Sequence, residues 1–274
     1  MKRLNTENAF AIITGASSGI GLEYAIALAR DYRYNLLLVS NQEQELNELA
    51  ERLTADYHVR AIPFYLDLTA QDAAEQVVAF CDKEQLDVEV LINNAGVLIF
   101  DAFVNTNPQK IETLLMLHVV TLTKLCRLIA AKMLHRPLID GHKKGYILNM
   151  SSMSAWMSMP SIACYNASKG YVFNFSKALW YELKPRGIRV LAVTPGSTDT
   201  GLLPFGPALG KVLRFFGITM SPARLVKRAL KVLFTSSKKR CMPGAWNYII
   251  VPIINHLPDW LIFAAMKRIP FFKQ

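Results

Sequence analysis

Residues 9–30 combine a buried strand, a glycine-rich turn and a helix, and this combination constrains what the whole chain can fold into. The segment AFAIIT at residues 9–14 is almost entirely apolar, as expected of a strand buried on both faces in the middle of a parallel sheet. Gly15, Gly19 and Gly21 follow with the spacing G-x-x-x-G-x-G, and residues 22–30 have helical composition. Glycines at such a turn let the backbone approach a pyrophosphate, whose charge is favoured by free N–H groups at the helix start. The same spacing is also compatible with a glycine-rich turn that binds no ligand.

Strand and helix patterns alternate along the chain after this unit. Short apolar runs predict strands near residues 35–40, 59–66, 88–92, 145–150, 188–194 and 240–243. Apolar residues at helical spacing predict helices near residues 42–56, 71–85, 108–134, 163–183 and 222–235. This alternation is typical of one doubly wound α/β domain with right-handed crossovers. A chain of 274 residues, 52% of them hydrophobic, is long enough to bury one large core.

The positive charge of the chain is concentrated near its C-terminal end. The net charge is +10, and residues 202–274 contain twelve Lys or Arg against a single acid, Asp259. The nucleotide-binding part is therefore nearly neutral, and without a recognition helix or stacking module we expect no nucleic-acid partner. Residues 1–8 are polar, without an apolar signal segment, and no cysteine belongs to a C-x-x-C pair. These features predict a reduced, cytoplasmic protein without a metal site.

Tyr165 and Lys169 form the second chemically informative pattern. On the predicted helix they are four residues apart and therefore share a face. A cation near a phenol favours the phenolate, which lowers the tyrosine pKa from about 10 towards neutrality and creates a proton donor or acceptor. In isolation, Y-x-x-x-K is more often a pattern of solvated side chains than of a catalytic pair. The pattern indicates a catalytic pair only in combination with other motifs.

Five motifs occur in order within residues 9–201: TGASSGIG at 14–21, NNAG at 93–96, Ser152 thirteen residues before Tyr165, Lys169, and a Pro-Gly pair at 195–196 followed by Thr200. Together they closely resemble the short-chain dehydrogenase/reductase family. The resemblance implies a single Rossmann-type doubly wound sheet of seven parallel strands in the order 3-2-1-4-5-6-7, with NAD(P) across its C-terminal edge. It also implies hydride transfer between nicotinamide and a ketone or secondary alcohol, and a homo-oligomer.

The resemblance assigns roles to individual residues. Tyr165 would be the catalytic acid/base, Lys169 would hydrogen-bond the nicotinamide ribose and lower the tyrosine pKa, and Ser152 would hold the substrate oxygen. The residues implied to surround the cofactor phosphates are Gly15, Ser17, Ser18, Gly19, Ile20 and Gly21. Those implied to lie along the rest of the cofactor are Asp67 and Leu68 at the adenine, Asn93, Ala95 and Gly96 beside the ribose and in the central strand, and Pro195, Gly196, Thr198 and Thr200 at the carboxamide.

The sequence departs from the family pattern at His118 and after Met133. The family usually has an asparagine at the position of His118, where it supports a water leading to the lysine. A histidine could bind the same water and titrate near neutral pH, or it could be a core residue whose nitrogen is satisfied; both interpretations stay open. The stretch between Met133 and Gly145 is also longer than usual, and residues 136–144 are predicted to form a basic surface loop.

The end of the second predicted strand bears on cofactor choice. Relatives that prefer NAD usually have an acid there, and relatives that prefer NADP often have a nearby arginine, whereas this chain has Ser40 and Asn41. Without a repelling carboxylate, Ser17, Ser40 and Asn41 could donate hydrogen bonds to a 2′-phosphate. We therefore expect NADP(H) in preference to NAD(H).

The C-terminal segment is predicted to be an addition to the catalytic domain. Residues 1–244 form the dinucleotide-binding and catalytic domain, and residues 245–274 form an apolar and basic helical extension. Pro252, Pro258 and Asp259 interrupt its apolar run, so two short helices broken at Pro258 are expected rather than one membrane-spanning helix. The extension could cover the substrate pocket, make a subunit contact, or lie peripherally at a membrane surface.

Such tails resemble those of family members that act on steroids or keto lipids. The expected partner is therefore a small lipophilic ketone or secondary alcohol. The alternatives are a catalytically weak nucleotide-binding regulator with the same fold, and a scaffold at a membrane surface.

Overall fold

The computed structural model describes residues 9–136, 144–196, 220–244, 247–248, 252–253 and 256–268. Its strands are β1 (Ala9–Thr14), β2 (Asn35–Ser40), β3 (Ala61–Tyr65), β4 (Asp87–Asn93), β5 (Gly145–Met150), β6 (Ile188–Val193) and β7 (Arg240–Cys241). The helices are α1 (Gly19–Tyr32), α2 (Glu43–Tyr57), α3 (Ala73–Lys83), α4 (Pro108–Leu115), α5 (Leu122–His135), α6 (Ala163–Leu183), α7 (Pro222–Thr235) and α8 (Asp259–Arg268).

The seven strands form one parallel sheet in the order β3-β2-β1-β4-β5-β6-β7. This arrangement confirms the predicted doubly wound α/β fold. The third strand is shorter than the predicted 59–66 and includes Pro63, which lacks an N–H for a ladder hydrogen bond. A proline is tolerated there because β3 is an edge strand, with a partner strand on one side only.

Two hydrophobic cores lie on the two faces of the sheet. Along β1, Ala11 and Ile13 pack into one core with α1, α2 and α7, whereas Phe10 and Ile12 pack into the other with α3, α5 and α6. All six residues of β1 are buried. The central strand is apolar on both faces because helices cover both sides of a parallel sheet.

The long helix predicted over residues 108–134 is present but contains a wider turn. Met116–Thr121 form a π turn between α4 and α5, and this turn places His118 and Thr121 in the interior. The stretch Pro108–His135 is long and apolar enough by composition to cross a membrane. In this fold one face of it is core, because Leu125, Cys126 and Ile129 are buried against the sheet.

Candidate active site

The glycine-rich turn at the carboxyl end of β1 has the shape that a pyrophosphate requires. Gly15 and Gly19 have φ angles of 64° and 57°, in the left-handed region that favours glycine. A Cβ on Gly21 would lie 1.9 Å from the carbonyl oxygen of Gly15, so only glycine fits there. Ser18, at the N-cap of α1, makes no side-chain capping hydrogen bond. The first N–H groups of the helix are thus open to an anion, and the cradle fits a dinucleotide phosphate.

Thr14 and Asn94 join the glycine turn to the end of β4. The Thr14 hydroxyl accepts hydrogen bonds from the backbone N–H groups of Asn94 and Ala95, at 2.9 and 3.0 Å. The Asn94 amide donates to the carbonyl oxygens of Thr14 and Gly15, at 3.0 and 3.2 Å. These bonds hold the backbone of Ala95 and Gly96 beside the glycine turn. The sequence motif contains Asn94, but sequence reasoning gave it no role.

Asn93 points into the sheet rather than towards the turn. Its amide nitrogen donates to the side-chain oxygen of Asn149, at 2.8 Å, and the Asn149 nitrogen donates to the Ser176 hydroxyl, at 2.9 Å. All three side chains are buried. This polar chain links β4, β5 and α6, so the Asn93 side chain stabilises the central strands, as predicted.

Ser152, Tyr165 and Lys169 converge at the carboxyl end of β5. Ser152 lies two residues after the end of the strand, and its hydroxyl is close enough to the Tyr165 phenol to lower the pKa of that phenol. Lys169, one helical turn after Tyr165 on α6, is buried, and its Nζ lies 5.5 Å from the centre of the tyrosine ring. Its ammonium donates to the Met150 carbonyl at 3.1 Å. The three residues predicted to carry catalysis are thus brought together.

The protonation properties of this cluster differ from the sequence-based expectation. Burial raises the pKa of Tyr165 above 10, although the hydrogen bond from Ser152 opposes the effect. Burial also lowers the pKa of Lys169 to about 8. The net pKa shift of Tyr165 in the protein by itself is therefore upward rather than towards neutrality, because burial of the phenolate dominates it.

His118 lies within the same cluster. Its ring meets the Tyr165 ring edge-on with centroids 5.8 Å apart, and 1% of its surface is exposed. Burial, with a smaller effect from the nearby Lys169 charge, holds the pKa of His118 well below 6.5. Burial thus disfavours the charged form of His118 at neutral pH.

Ser17, Ser40 and Gln42 form a closed ring of hydrogen bonds beside the glycine turn. The Ser17 hydroxyl donates to the Gln42 side-chain oxygen at 2.6 Å, and the Gln42 backbone N–H donates to the Ser40 hydroxyl at 3.2 Å. The two hydroxyls are 2.8 Å apart. Asn41 is exposed next to this ring. Gln42 was missed by sequence reasoning, although it directly follows the two residues that were chosen.

The other predicted cofactor residues lie at the same edge of the sheet. Leu68 is buried and its carbonyl accepts from Thr121 at 2.8 Å, whereas Asp67 is exposed and accepts from the backbone and side chain of Thr69. Pro195 and Gly196 follow β6, and the Pro195 carbonyl accepts from the Met153 N–H at 2.9 Å. Thr198 and Thr200 lie outside the described residues.

Asn247 is a buried residue of this site that sequence reasoning also missed. A Cβ on Gly196 would lie 2.5 Å from the Asn247 side-chain oxygen, and a Cβ on Gly244 would lie 2.9 Å from its nitrogen. The Asn247 amide donates to the Pro243 carbonyl. The first part of the predicted extension therefore contacts the Pro-Gly turn at the cofactor site. A lone asparagine in an apolar tail gives no sequence signal for such a contact.

A small cleft lies at the start of α6. Apolar side chains of Ile99, Phe103 and Ile162 line it together with polar groups of Asp101 and Cys164. Phe103 and its neighbour Val104 are 64% and 89% exposed. Among the residues that the structure describes, no three His, Cys, Asp or Glu side chains converge as metal ligands would.

The glycine turn after β1 could hold a phosphate, and a serine after β5 lies near a tyrosine and a lysine on α6. This combination defines a dinucleotide-dependent oxidoreductase site. A family model described as short chain dehydrogenase matches residues 9–205. The chain belongs to the short-chain dehydrogenase family and is an NAD(P)-dependent oxidoreductase.

Curated relatives match across most of the chain. It is 29% identical to the 17-beta-hydroxysteroid dehydrogenase type 3 of Mus musculus over 269 residues, 97% of this chain and 81% of the relative. It is 31% identical to a very-long-chain 3-oxoacyl-CoA reductase of Phaeosphaeria nodorum over 260 residues, 92% of this chain and 70% of the relative.

Solved structures agree with this fold. One is a bulky-bulky ketone specific alcohol dehydrogenase from Comamonas testosteroni, 31% identical, with a TM-score of 0.73 and coverage of 95% of this chain and 94% of that one. Another is a short-chain dehydrogenase from Sphingobium yanoikuyae in complex with NADPH, 28% identical, with a TM-score of 0.74 and coverage of 95% and 96%.

Proposed function

We propose that this protein reduces the ketone group of a lipophilic substrate with NADP(H) as hydride donor. The observation that carries the proposal is the cluster of Ser152, Tyr165 and Lys169 at the end of β5, next to a phosphate cradle. When bound, the nicotinamide supplies the hydride. The glycine turn would hold the phosphates, and Pro195 and Gly196 would lie at the nicotinamide end.

The protonation state of Tyr165 suits the reductive direction. Because burial keeps its pKa above 10, the phenol stays protonated at neutral pH and has a proton to donate to the substrate oxygen. The Ser152 hydroxyl, which lies close to the same phenol, would share that oxygen. Lys169 is a buried cation beside the ring, and its charge favours the phenolate that proton donation leaves behind.

A lipophilic substrate is supported by the apolar side of the cleft and by the relatives. Ile99, Phe103 and Ile162 line the cleft at the start of α6, the helix that carries Tyr165. The relatives named above are a hydroxysteroid dehydrogenase and a 3-oxoacyl-CoA reductase. We take a steroid ketone or a long-chain 3-oxoacyl thioester as the substrate class.

Substitution of Tyr165 by Phe is the experiment that tests this function. We expect kcat for ketone reduction to fall by at least about a hundredfold, because the hydroxyl acts in the transition state, whereas the Kd of NADPH stays within about twofold. The measurements are NADPH oxidation with a panel of steroid and 3-oxoacyl ketones, and binding by cofactor fluorescence. Tyr171→Phe, on the exposed side of the same helix, is the matched control. Activity of Tyr165→Phe within threefold of wild type would contradict the assignment.

The intact cluster also argues against the alternative of a nucleotide-binding regulator without turnover. We further propose that residues 1–244 are the catalytic domain of a cytoplasmic homo-oligomer. The extension of residues 245–274 is proposed to bring the protein to a lipid surface. Described side chains of the extension support this, because Ile253, Trp260 and Phe263 are 58%, 67% and 61% exposed within a strongly basic part of the chain.

A further inference from the structure

Both ring nitrogens of His118 are used by protein groups. Nε2 accepts a hydrogen bond from the backbone N–H of Val97 at 3.0 Å, and Nδ1 lies 2.9 Å from the Ser168 hydroxyl oxygen. Since a backbone N–H can only donate, Nε2 carries no proton, and the proton of the neutral ring is on Nδ1. His118 therefore donates to Ser168.

Ser168 is in turn hydrogen-bonded to the backbone of the catalytic tyrosine. Its hydroxyl accepts from His118 and donates to the backbone carbonyl of Tyr165 at 2.8 Å. Ser168 and His118 are both buried. The chain of bonds runs from the loop after β4, through the π turn, to the first turn of α6.

The backbone around this bridge leaves no spare room for the ring. A Cβ on Gly96 would lie 2.8 Å from His118 Nε2 and 3.5 Å from Lys169 Nζ, so the glycine lets the ring approach. The π turn of Met116–Thr121 turns His118 inward, and such turns are frequent at functional sites.

We propose that His118 and Ser168 form a positioning bridge that fixes Tyr165 over the substrate, rather than a ring that holds a relay water. With both nitrogens occupied, the imidazole has no free position for that water. The bridge rests on the proposed function, because Tyr165 must be the proton donor for its position to matter. A shift of about 1 Å at a reacting group can cost about a hundredfold in rate.

Substitutions at His118 can separate the two arms of the bridge. An asparagine amide reaches the position of Nδ1 and can still donate to Ser168, whereas a glutamine amide reaches the position of Nε2 and can only accept from Val97. We expect His118→Asn to keep kcat within about threefold of wild type, and His118→Gln and His118→Leu to lower it by about ten- to a hundredfold. The Kd of NADPH should change less than twofold in all three.

Ser168→Ala supplies the matching test on the other side of the bridge. It should lower kcat about as much as His118→Leu, and the double variant should be no slower than either single variant, because both remove the same connection. Losses that multiply in the double variant would overturn the bridge, as would equal kcat values for His118→Asn and His118→Gln. Losses that follow the melting temperature alone, with kcat unchanged in correctly folded protein, would also overturn it.

Nitrogen NMR of histidine-labelled protein tests the bridge without turnover. The chain has five histidines, and the His118 signals are those missing from His118→Asn. We expect a neutral ring protonated at Nδ1 from pH 8 to pH 6; protonation at Nε2, or titration near pH 6.5, would overturn the bridge. If Tyr165→Phe stays active while the NMR result holds, the proposed function fails and the bridge geometry stands. If Tyr165→Phe is inactive but Ser168→Ala and His118→Leu are unaffected, the bridge alone fails.

Discussion

Among single side chains, the hydrogen-bonded ring of Ser17, Ser40 and Gln42 is the feature that bears on the choice of cofactor. Its members are uncharged, and its hydroxyls and amide can turn to donate to a phosphate. Asn41 is the exposed position next to the ring at which a carboxylate would repel a 2′-phosphate. We therefore expect the ring to favour NADP(H), and Asn41 to be the position at which that preference can be reversed.

For wild type we expect a higher kcat/KM with NADPH than with NADH. Asn41→Asp should move the ratio towards NADH by at least about tenfold, since a like charge near the 2′-phosphate costs more than about 1.4 kcal/mol. The measurement is kcat/KM for both cofactors with one ketone, and Asn41→Leu is the control that changes size without charge. A wild-type preference for NADH would contradict the interpretation of this strand end.

Site features that depend on local spacing could be predicted from the sequence, whereas those that depend on contacts between distant residues could not. Tyr165 and Lys169 could be found because a spacing of four places them on one helical face. The direction of the tyrosine pKa could not be predicted, because burial is set by neighbours from β5 and the π turn. Ser168 shows the same limit, since its partner His118 is fifty residues away in sequence.

At the level of whole elements, Arg136 joins the end of α5 to the starts of β4 and β5. Its guanidinium donates to both oxygens of Asp87, to Glu89 and to the Lys144 carbonyl. The side chains of Arg136 and Glu89 are 15% and 13% exposed. The prediction of a basic surface loop beginning at Arg136 is therefore wrong for this residue, because two acids on β4 draw it inward.

Arg136→Ala should destabilise the protein by about 2 to 4 kcal/mol, since it leaves the carboxylate of Glu89 buried without its cation. The free energy of unfolding, measured with urea, checks this value. Arg30→Ala is a matched control, because Arg30 pairs with Asp31 at the surface, where the side chains are 55% and 44% exposed. That control should change stability by less than about 1 kcal/mol. Similar losses in the two variants would show that burial of the Arg136 pair is unimportant.

Asn247 links the Pro-Gly turn after β6 to the C-terminal extension. Its side chain is the nearest obstacle to a Cβ on Gly196. Gly196→Ala should therefore raise the KM for NADPH by about tenfold or more, because the turn must move away from the nicotinamide end. Asn247→Ala in the same protein should restore most of the loss by making room. No rescue in the double variant would show that Asn247 is not the obstacle.

The fold was more predictable from the sequence than the details of its elements. Apolar strands alternating with amphipathic helices predict a doubly wound sheet, since each pattern is local and strong, and the resemblance to the short-chain dehydrogenase/reductase family implies the order of its strands. The π turn at Met116–Thr121 could not be predicted, because its composition resembles that of the α-helix on either side. The Asn247 side chain packs against two glycines, Gly196 and Gly244, that are 48 residues apart in sequence. No local sequence pattern predicts such a contact.

For the whole molecule, the positive charge is distributed unevenly along the chain, which bears on the proposed contact with a lipid surface. The catalytic part is nearly neutral, whereas residues 202–274 hold twelve Lys or Arg and one acid. In the same part, α8 exposes Trp260, Leu261 and Phe263. Cationic side chains next to exposed aromatic ones match the surface of an anionic bilayer, which attracts the charges and accepts the rings at its headgroups.

The full chain should therefore float with vesicles that contain phosphatidylserine, and float less with neutral vesicles or at high salt.

Deletion of residues 245–274 is a poor test, because it removes Asn247 from the cofactor site. Trp260→Ser/Phe263→Ser is cleaner and should lower the bound fraction at least about threefold while turnover of a water-soluble ketone is unchanged. Tyr65→Ser, at an exposed aromatic residue on β3, is the control. Unchanged flotation of the double variant would contradict the proposal. A changed oligomeric state would instead identify the extension as a subunit contact. A raised KM for the ketone would identify it as a cover of the substrate pocket.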